Sequence, residues 1–158
     1  MIIILEGPDG SGKTTLKDSL LSVIPDSLSI HFGNPTTEEE ALNYWKVYAE
    51  TLSNVNATKT TILDRCWYSD LVYGPIFRNK SEMDILHVRM LEAMVYKHGG
   101  GFVVYCTASV PVLWARCKKR GEDYVKTKEL LSRVSSSYEK VMLHECNLPV
   151  IRYDTSKY

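Results

Sequence analysis

The chain opens on Ile2-Ile3-Ile4-Leu5-Glu6, where β-branched and leucyl side chains follow one another without alternation. A run that short, apolar on both faces and ended by Gly7, predicts a buried strand of a parallel sheet. From Lys13 to Ile24 the pattern changes, and Leu16, Leu20, Leu21 and Ile24 recur at helical spacing until Pro25. The two patterns then alternate along the chain. Leu28–Phe32, Thr60–Leu63, Phe102–Cys106 and Val150–Tyr153 are predicted strands, while Glu38–Val55, about Glu82–Lys97, Val110–Lys119 and Thr127–Cys146 are predicted helices. In the helix over Glu38–Val55, Leu42, Trp45, Tyr48, Ala49 and Leu52 share one face. Arg65–Asn79 is rich in aromatics but has no period and reads as irregular; Arg120–Lys126 reads as a charged connector. Strands separated by helices of this length need crossover connections. They predict one α/β domain over residues 1–158, a five-stranded parallel sheet flanked by helices, with ligands beyond the carboxyl ends of the strands.

Composition narrows the partners. Nineteen Lys plus Arg balance nineteen Asp plus Glu, so no global field exists to hold a nucleic acid or an anionic membrane. No segment approaches the ~20 apolar residues that cross a bilayer. The expectation is a cytoplasmic protein with small-molecule partners. Cys66, Cys106, Cys117 and Cys146 are scattered without a C-x-x-C pair, which predicts reduced thiols and no zinc site. His31, His87, His98 and His144 likewise have no metal spacing.

The strongest chemical signal is Gly7-Pro8-Asp9-Gly10-Ser11-Gly12-Lys13-Thr14, a G-x-x-x-x-G-K-[ST] sequence placed between a predicted strand and a predicted helix. Glycines let backbone N–H groups turn onto phosphate oxygens, Lys13 places a point charge on the β- and γ-phosphates, and the Thr14 hydroxyl holds Mg²⁺. A nucleotide, ATP, is the expected donor, with Gly7, Asp9, Gly10, Ser11, Gly12, Lys13, Thr14 and Thr15 around its phosphates. A guanine-reading N-K-x-D is missing, which sets switch GTPases aside.

Further along the chain, Asp64-Arg65 closes a strand, Tyr68-Ser69 and Val72-Tyr73 follow, and Arg116 through Arg120 lead into Gly121-Glu122-Asp123. Together with Leu5–Thr15, these blocks resemble the thymidylate kinase family. The resemblance implies a P-loop NTPase three-layer sandwich of the nucleoside monophosphate kinase kind, phosphorylating a deoxynucleoside monophosphate, most simply dTMP to dTDP. By the same resemblance Asp9 faces the acceptor sugar, and Phe32, Pro35, Arg65, Tyr68, Ser69, Tyr73 and Arg78 wall the acceptor. Arg65 forks onto its phosphate, and Asp154 and Thr155 line the donor adenine. The likeness has gaps. Gly74 stands where the family carries a glutamine, Val72 where it has alanine, and Phe32-Gly33-Asn34-Pro35 where it has Arg-Glu-Pro, which leaves the acceptor base open.

Asp64 is placed to reach Mg²⁺ directly or through water, or to form a strand-end ion pair. Asp9 also suits a plain turn and Phe32 a core position. Arg116 and Arg120, one helical turn apart, suit a mobile lid over about 116–126 whose arginines neutralise the transferring phosphoryl, or a solvated basic helix end. Lys13, Arg65, Arg116 and Arg120 are the expected catalytic residues and a homodimer the expected assembly. A nucleoside kinase, which needs a carboxylate base at the 5′-hydroxyl, and a nucleotide-binding protein without turnover are the competing readings. An ATPase engine is disfavoured, because no sensor segment or partner-binding domain is recognisable.

Overall fold

The computed structural model describes residues 1–78, 81, 83–121 and 124–157. Five parallel strands, β1 (Ile2–Glu6), β2 (Leu28–His31), β3 (Thr61–Asp64), β4 (Gly101–Thr107) and β5 (Val150–Asp154), form one sheet in the order β2-β3-β1-β4-β5. Helices α1 (Lys13–Val23), α2 (Glu38–Asn54), α3 (Trp67–Phe77), α4 (Ile85–Lys97), α5 (Val110–Arg120) and α6 (Lys128–His144) flank it. The sequence expectation of an α/β parallel-sheet domain is met.

Alternation along the strands sorts the core into two layers. Ile3, Leu5, Ile62, Val104 and Cys106 turn to the face packed by Leu16, Leu20 and Leu21 of α1 and by Ile24 at its C-cap. Ile2, Ile4, Leu63, Val103 and Tyr105 turn to the opposite face, against α2, α3, α4 and α6. Strands β1 and β3 are buried along their whole length, which is why β1 reads as a continuous apolar run and β3 as a short β-branched and leucyl one; β2 and β5 lie at the edges and are largely exposed.

Helix starts follow capping chemistry. The Thr37 hydroxyl accepts the Glu40 N–H at 3.1 Å, while Glu40 Oε2 accepts the Thr36 N–H at 2.6 Å, a reciprocal arrangement that fixes α2. Asp84 caps α4 through the His87 N–H and Thr127 caps α6 through the Leu130 N–H. Glu82 and Asn79, at the ends of predicted segments, lie outside the described residues. One element departs from expectation: Trp67–Phe77, predicted irregular, is the helix α3. Trp67, Tyr68, Ser69, Asp70, Val72, Tyr73 and Gly74 are all buried, so α3 has hardly any polar face and no amphipathic period to display. Leu42, expected on the packed face of α2, is exposed. None of the four cysteines forms a disulfide, in keeping with the expectation of reduced thiols.

Candidate active site

Register places the ends of the central strands side by side, with Leu5 beside Asp64 and Glu6 beside Tyr105. The glycine loop crosses these ends. A Cβ on Gly7, whose φ is 144°, would lie 2.1 Å from the Cys106 carbonyl oxygen, and one on Gly10 would lie 2.7 Å from that of Leu113. The loop is thus wedged against β4 and α5 too closely for side chains at either position. It ends at Gly12 in the left-handed region, and α1 starts there without a side-chain cap, leaving first-turn N–H groups for an anion.

Lys13 folds back over this loop. Its Nζ donates to the carbonyl oxygens of Gly7 at 2.7 Å and Pro8 at 2.9 Å, and to the Ser11 hydroxyl at 3.4 Å. All three acceptors are neutral and the side chain is buried. Burial, helped by repulsion from Arg65 and opposed by Asp9 and Glu6, lowers its pKa to about 8. A phosphate brought to the loop supplies the counter-charge this ammonium lacks.

On one side of the loop a cavity of about 240 Å³ is lined by Gly12, Thr15, Leu16, Ser19, Arg116, Arg120, Tyr153 and Thr155. Arg116 ties its walls together, donating to the Gly10 carbonyl at 3.1 Å and to the Thr155 hydroxyl and carbonyl at 2.9 and 2.6 Å. Thr155 in turn donates to the Ser11 carbonyl at 3.1 Å. Asp154, expected beside it, accepts the Ser156 N–H at 2.9 Å on the exposed surface. Arg116 therefore sits on an ordered helix face. The connector that follows has an apolar anchor the sequence did not announce: Val125 is buried among Ala108, Leu113, Cys117 and Leu131, and the Tyr124 ring lies 4.8 Å from that of Phe77. Glu122 and Asp123 of the expected lid lie outside the described residues.

On the other side, Phe32, Gly33, Asn34, Pro35, Tyr48, Arg65, Cys66, Ser69, Asp70, Tyr73 and Arg78 surround a narrow cleft with room for about 10 Å³, roughly one water. Phe32, though lining it, is held edge-on against Tyr48 at 4.7 Å and belongs equally to the core. Arg65 dominates this cleft. It occupies the left-handed region at φ 70°, a strained conformation for a residue with a Cβ, fixed by its N–H bonding the Leu5 carbonyl at 3.0 Å. Its Nη2 meets Asp9 Oδ1 at 2.5 Å, and Tyr73 donates to the other Asp9 oxygen at 3.0 Å. Deeper in, Arg78 pairs with Asp70, whose second oxygen accepts from the Ser81 hydroxyl at 2.8 Å. Arg78 Nε is buried with no hydrogen-bond partner among the described residues.

One expected wall residue is elsewhere. Tyr68 is fully buried in the core and donates to Glu92 Oε1 at 2.6 Å, because α3 turns this position toward α4 rather than the cleft. Asp64, buried at the end of β3, lies 3.6 Å from Lys17 Nζ and 3.2 Å from His31 Nδ1, and the Thr14 side chain is exposed at the start of α1. An exposed hydroxyl and a strand-end carboxylate are hard oxygen donors that suit Mg²⁺. Among the described residues no three His, Cys, Asp or Glu form a protein-only cage. A cation here would complete its shell with phosphate and water oxygens.

Residues 1–134 match the family model of polyphosphate kinase 2, PPK2. The chain belongs to the polyphosphate kinase 2 family. It is a P-loop phosphotransferase. Among solved structures, the YorR protein from Bacillus subtilis, in complex with phosphorylated GDP, superposes with a TM-score of 0.81 at 25% identity, covering 100% of this chain and 88% of that one. A deoxyadenosine kinase from M. mycoides with bound dATP reaches a TM-score of 0.64 at 17% identity, covering 98% and 91%, and shares the fold. A search of curated proteins finds no match.

The PPK2 match corrects the thymidylate kinase resemblance. What the sequence shared with that family, a P-loop, a strand-end Asp-Arg and a run of arginines before a glycine, is common machinery of phosphoryl transfer. The residues that would have been particular to it, at positions 33 and 74, were the ones missing. In this PPK2-family protein three further side chains in or behind the site were passed over by sequence reasoning. Glu6 and Tyr138 sit behind Arg65; the signal for Glu6 was a lone carboxylate ending an otherwise apolar strand, while Tyr138 of α6 had none. Asp70 was passed over because α3 itself was not recognised.

Proposed function

We propose that this PPK2-family protein transfers the terminal phosphoryl group of ATP, with Mg²⁺, to a deoxynucleoside monophosphate. The observation that carries the reading is Arg65: a half-buried guanidinium in strained backbone, poised between the phosphate loop and a cleft lined by aromatic and hydrogen-bonding groups. Strain held at one residue is characteristic of functional positions. An acceptor phosphate replacing Asp9 on Arg65 would free Asp9 for the sugar, while Asp70 and Arg78 Nε offer an acceptor and a donor to a base edge. An acceptor phosphate oxygen attacks the γ-phosphorus, the bond from that phosphorus to the β–γ bridging oxygen breaks, and ADP leaves.

Lys13 and the N–H groups of α1 neutralise the donor phosphates, and Arg116 and Arg120 border the donor cavity beside them. A Mg²⁺ ion held by Thr14 and Asp64 would supply charge neutralisation on the β- and γ-phosphates when bound. A nucleoside acceptor is disfavoured because a 5′-hydroxyl needs an unengaged carboxylate base, and both Asp9 and Asp64 stand against cations. Family membership supports a second reading in which polyphosphate replaces ATP as donor. The test is a panel of nucleosides and nucleoside monophosphates with ATP or polyphosphate and Mg²⁺, resolved by chromatography. The proposal expects diphosphate products from monophosphates with ATP; monophosphate products from nucleosides would overturn it, and turnover with polyphosphate alone would replace the donor.

A further inference from the structure

Behind Arg65 lies a buried carboxylate that touches neither cavity. Glu6 ends β1, fully inaccessible to solvent, and collects four hydrogen bonds: the Cys66 N–H at 2.8 Å and the Ser69 N–H at 3.2 Å on Oε1, the Ser69 hydroxyl at 2.7 Å and the Tyr138 hydroxyl at 3.1 Å on Oε2. The first two cap α3, whose own N-cap residue, Cys66, makes no side-chain cap bond. The other two orient hydroxyls that both receive Arg65 Nη1, Tyr138 at 3.1 Å and Ser69 at 3.4 Å. One carboxylate thus sets the helix that follows Arg65 and also the two oxygens against which its guanidinium rests. Burying such a charge is costly unless every lone pair is used, and here each oxygen has two donors.

We propose that Glu6 and Tyr138 are positioning residues for Arg65, holding its guanidinium at the height where an acceptor anion is received. This rests on the role given to Arg65 above. The chemistry follows from donor and acceptor assignment. Tyr138 gives its one proton to Glu6 Oε2 at 3.1 Å or to the Ser69 hydroxyl at 2.8 Å, and in either case its oxygen is left as an acceptor for the Arg65 N–H. Tyr138 comes from α6, the helix that follows the connector carrying Tyr124 and Val125, so the acceptor arginine is braced by the same helix that continues from the donor-side segment.

The test is a double-mutant cycle of Tyr138→Phe with Arg65→Ala, read by kcat and KM for dAMP, dCMP, dGMP and dTMP. Removing one hydrogen bond to a charged group should lower kcat/KM for the accepted monophosphate about tenfold, leave the KM for ATP unchanged, and have under about a twofold effect once Arg65 is already alanine. A tenfold loss that persists in the Arg65→Ala background, or wild-type kinetics in Tyr138→Phe, would overturn the proposal. Guanidinium NMR gives a readout that needs no substrate: the Arg65 Nη signals should be resolved in the wild type and exchange-broadened in Tyr138→Phe, and unchanged signals would count against it. Glu6→Gln, which keeps the shape and loses the charge, should broaden them too, and serves if Tyr138→Phe does not fold. If none of the four monophosphates is turned over, the proposed function fails, while the NMR result still decides the positioning role.

Discussion

The lowered pKa of Lys13 leads to a measurable coupling between protons and nucleotide. The ammonium is buried, faces two carbonyls and a hydroxyl, and has Arg65 nearby, so its pKa falls from the ordinary 10.5 to about 8. At about 1.4 kcal/mol per pH unit, the empty fold holds the charged form about 3 kcal/mol less favourably than water does. The depressed value belongs to the folded state. The cost is therefore present in full below about pH 8 and is relieved as pH rises from about 8 towards 10.5, where the unfolded chain binds the extra proton. A phosphate on the loop reverses the balance by supplying an anion. Nucleotide binding should then take up close to one proton at pH 9, where the terminal phosphate, with a second pKa of about 6, is already ionised. Isothermal titration with Mg·ATP at pH 9, in two buffers of different ionisation enthalpy, measures this number, and Lys13→Met should abolish it. Equal heats in both buffers for the wild type would refute the reasoning, as would an uptake that survives Lys13→Met.

Three further substitutions check the geometry. Tyr68→Phe should cost about 1–3 kcal/mol of stability in denaturant unfolding, since the Glu92 carboxylate loses its 2.6 Å donor, with monophosphate kinetics unchanged. Gly7→Ala should yield a protein of much lower melting temperature, because its Cβ would meet the Cys106 carbonyl at 2.1 Å; a normal melting temperature would contradict the loop geometry. Arg116→Ala removes donors to Gly10 and Thr155, and should raise the KM for ATP about tenfold or more while changing that for the acceptor little.

The sheet was legible because β1 and β3 are buried on both faces: β1 carries nothing polar until its last residue, and β3 only the β-branched Thr61 before its closing Asp64. The phosphate loop was legible because its demands are local: a glycine where the backbone passes 2.1 Å from where a Cβ would fall into a carbonyl leaves no alternative residue. Helix α3 was not, since a helix enclosed on nearly every side loses the period that betrays it, and its cap comes from Glu6, sixty residues earlier in the chain. For the same reason Tyr68, next to cleft-lining Ser69, could not be assigned to core or cleft without the helix phase. The anchoring of the connector by Val125 was hidden because one valine in a charged segment makes no pattern.

The central claim is that the cleft passes a phosphoryl group between two nucleotides rather than to water. The direct measurement follows the label from [γ-³²P]ATP and Mg²⁺ in the presence of each monophosphate, with Lys13→Ala as control. The account predicts label in a nucleoside diphosphate, equimolar with ADP, and loss of nearly all of it in Lys13→Ala. Label released only as inorganic phosphate, or transfer undiminished without the Lys13 ammonium, would contradict it.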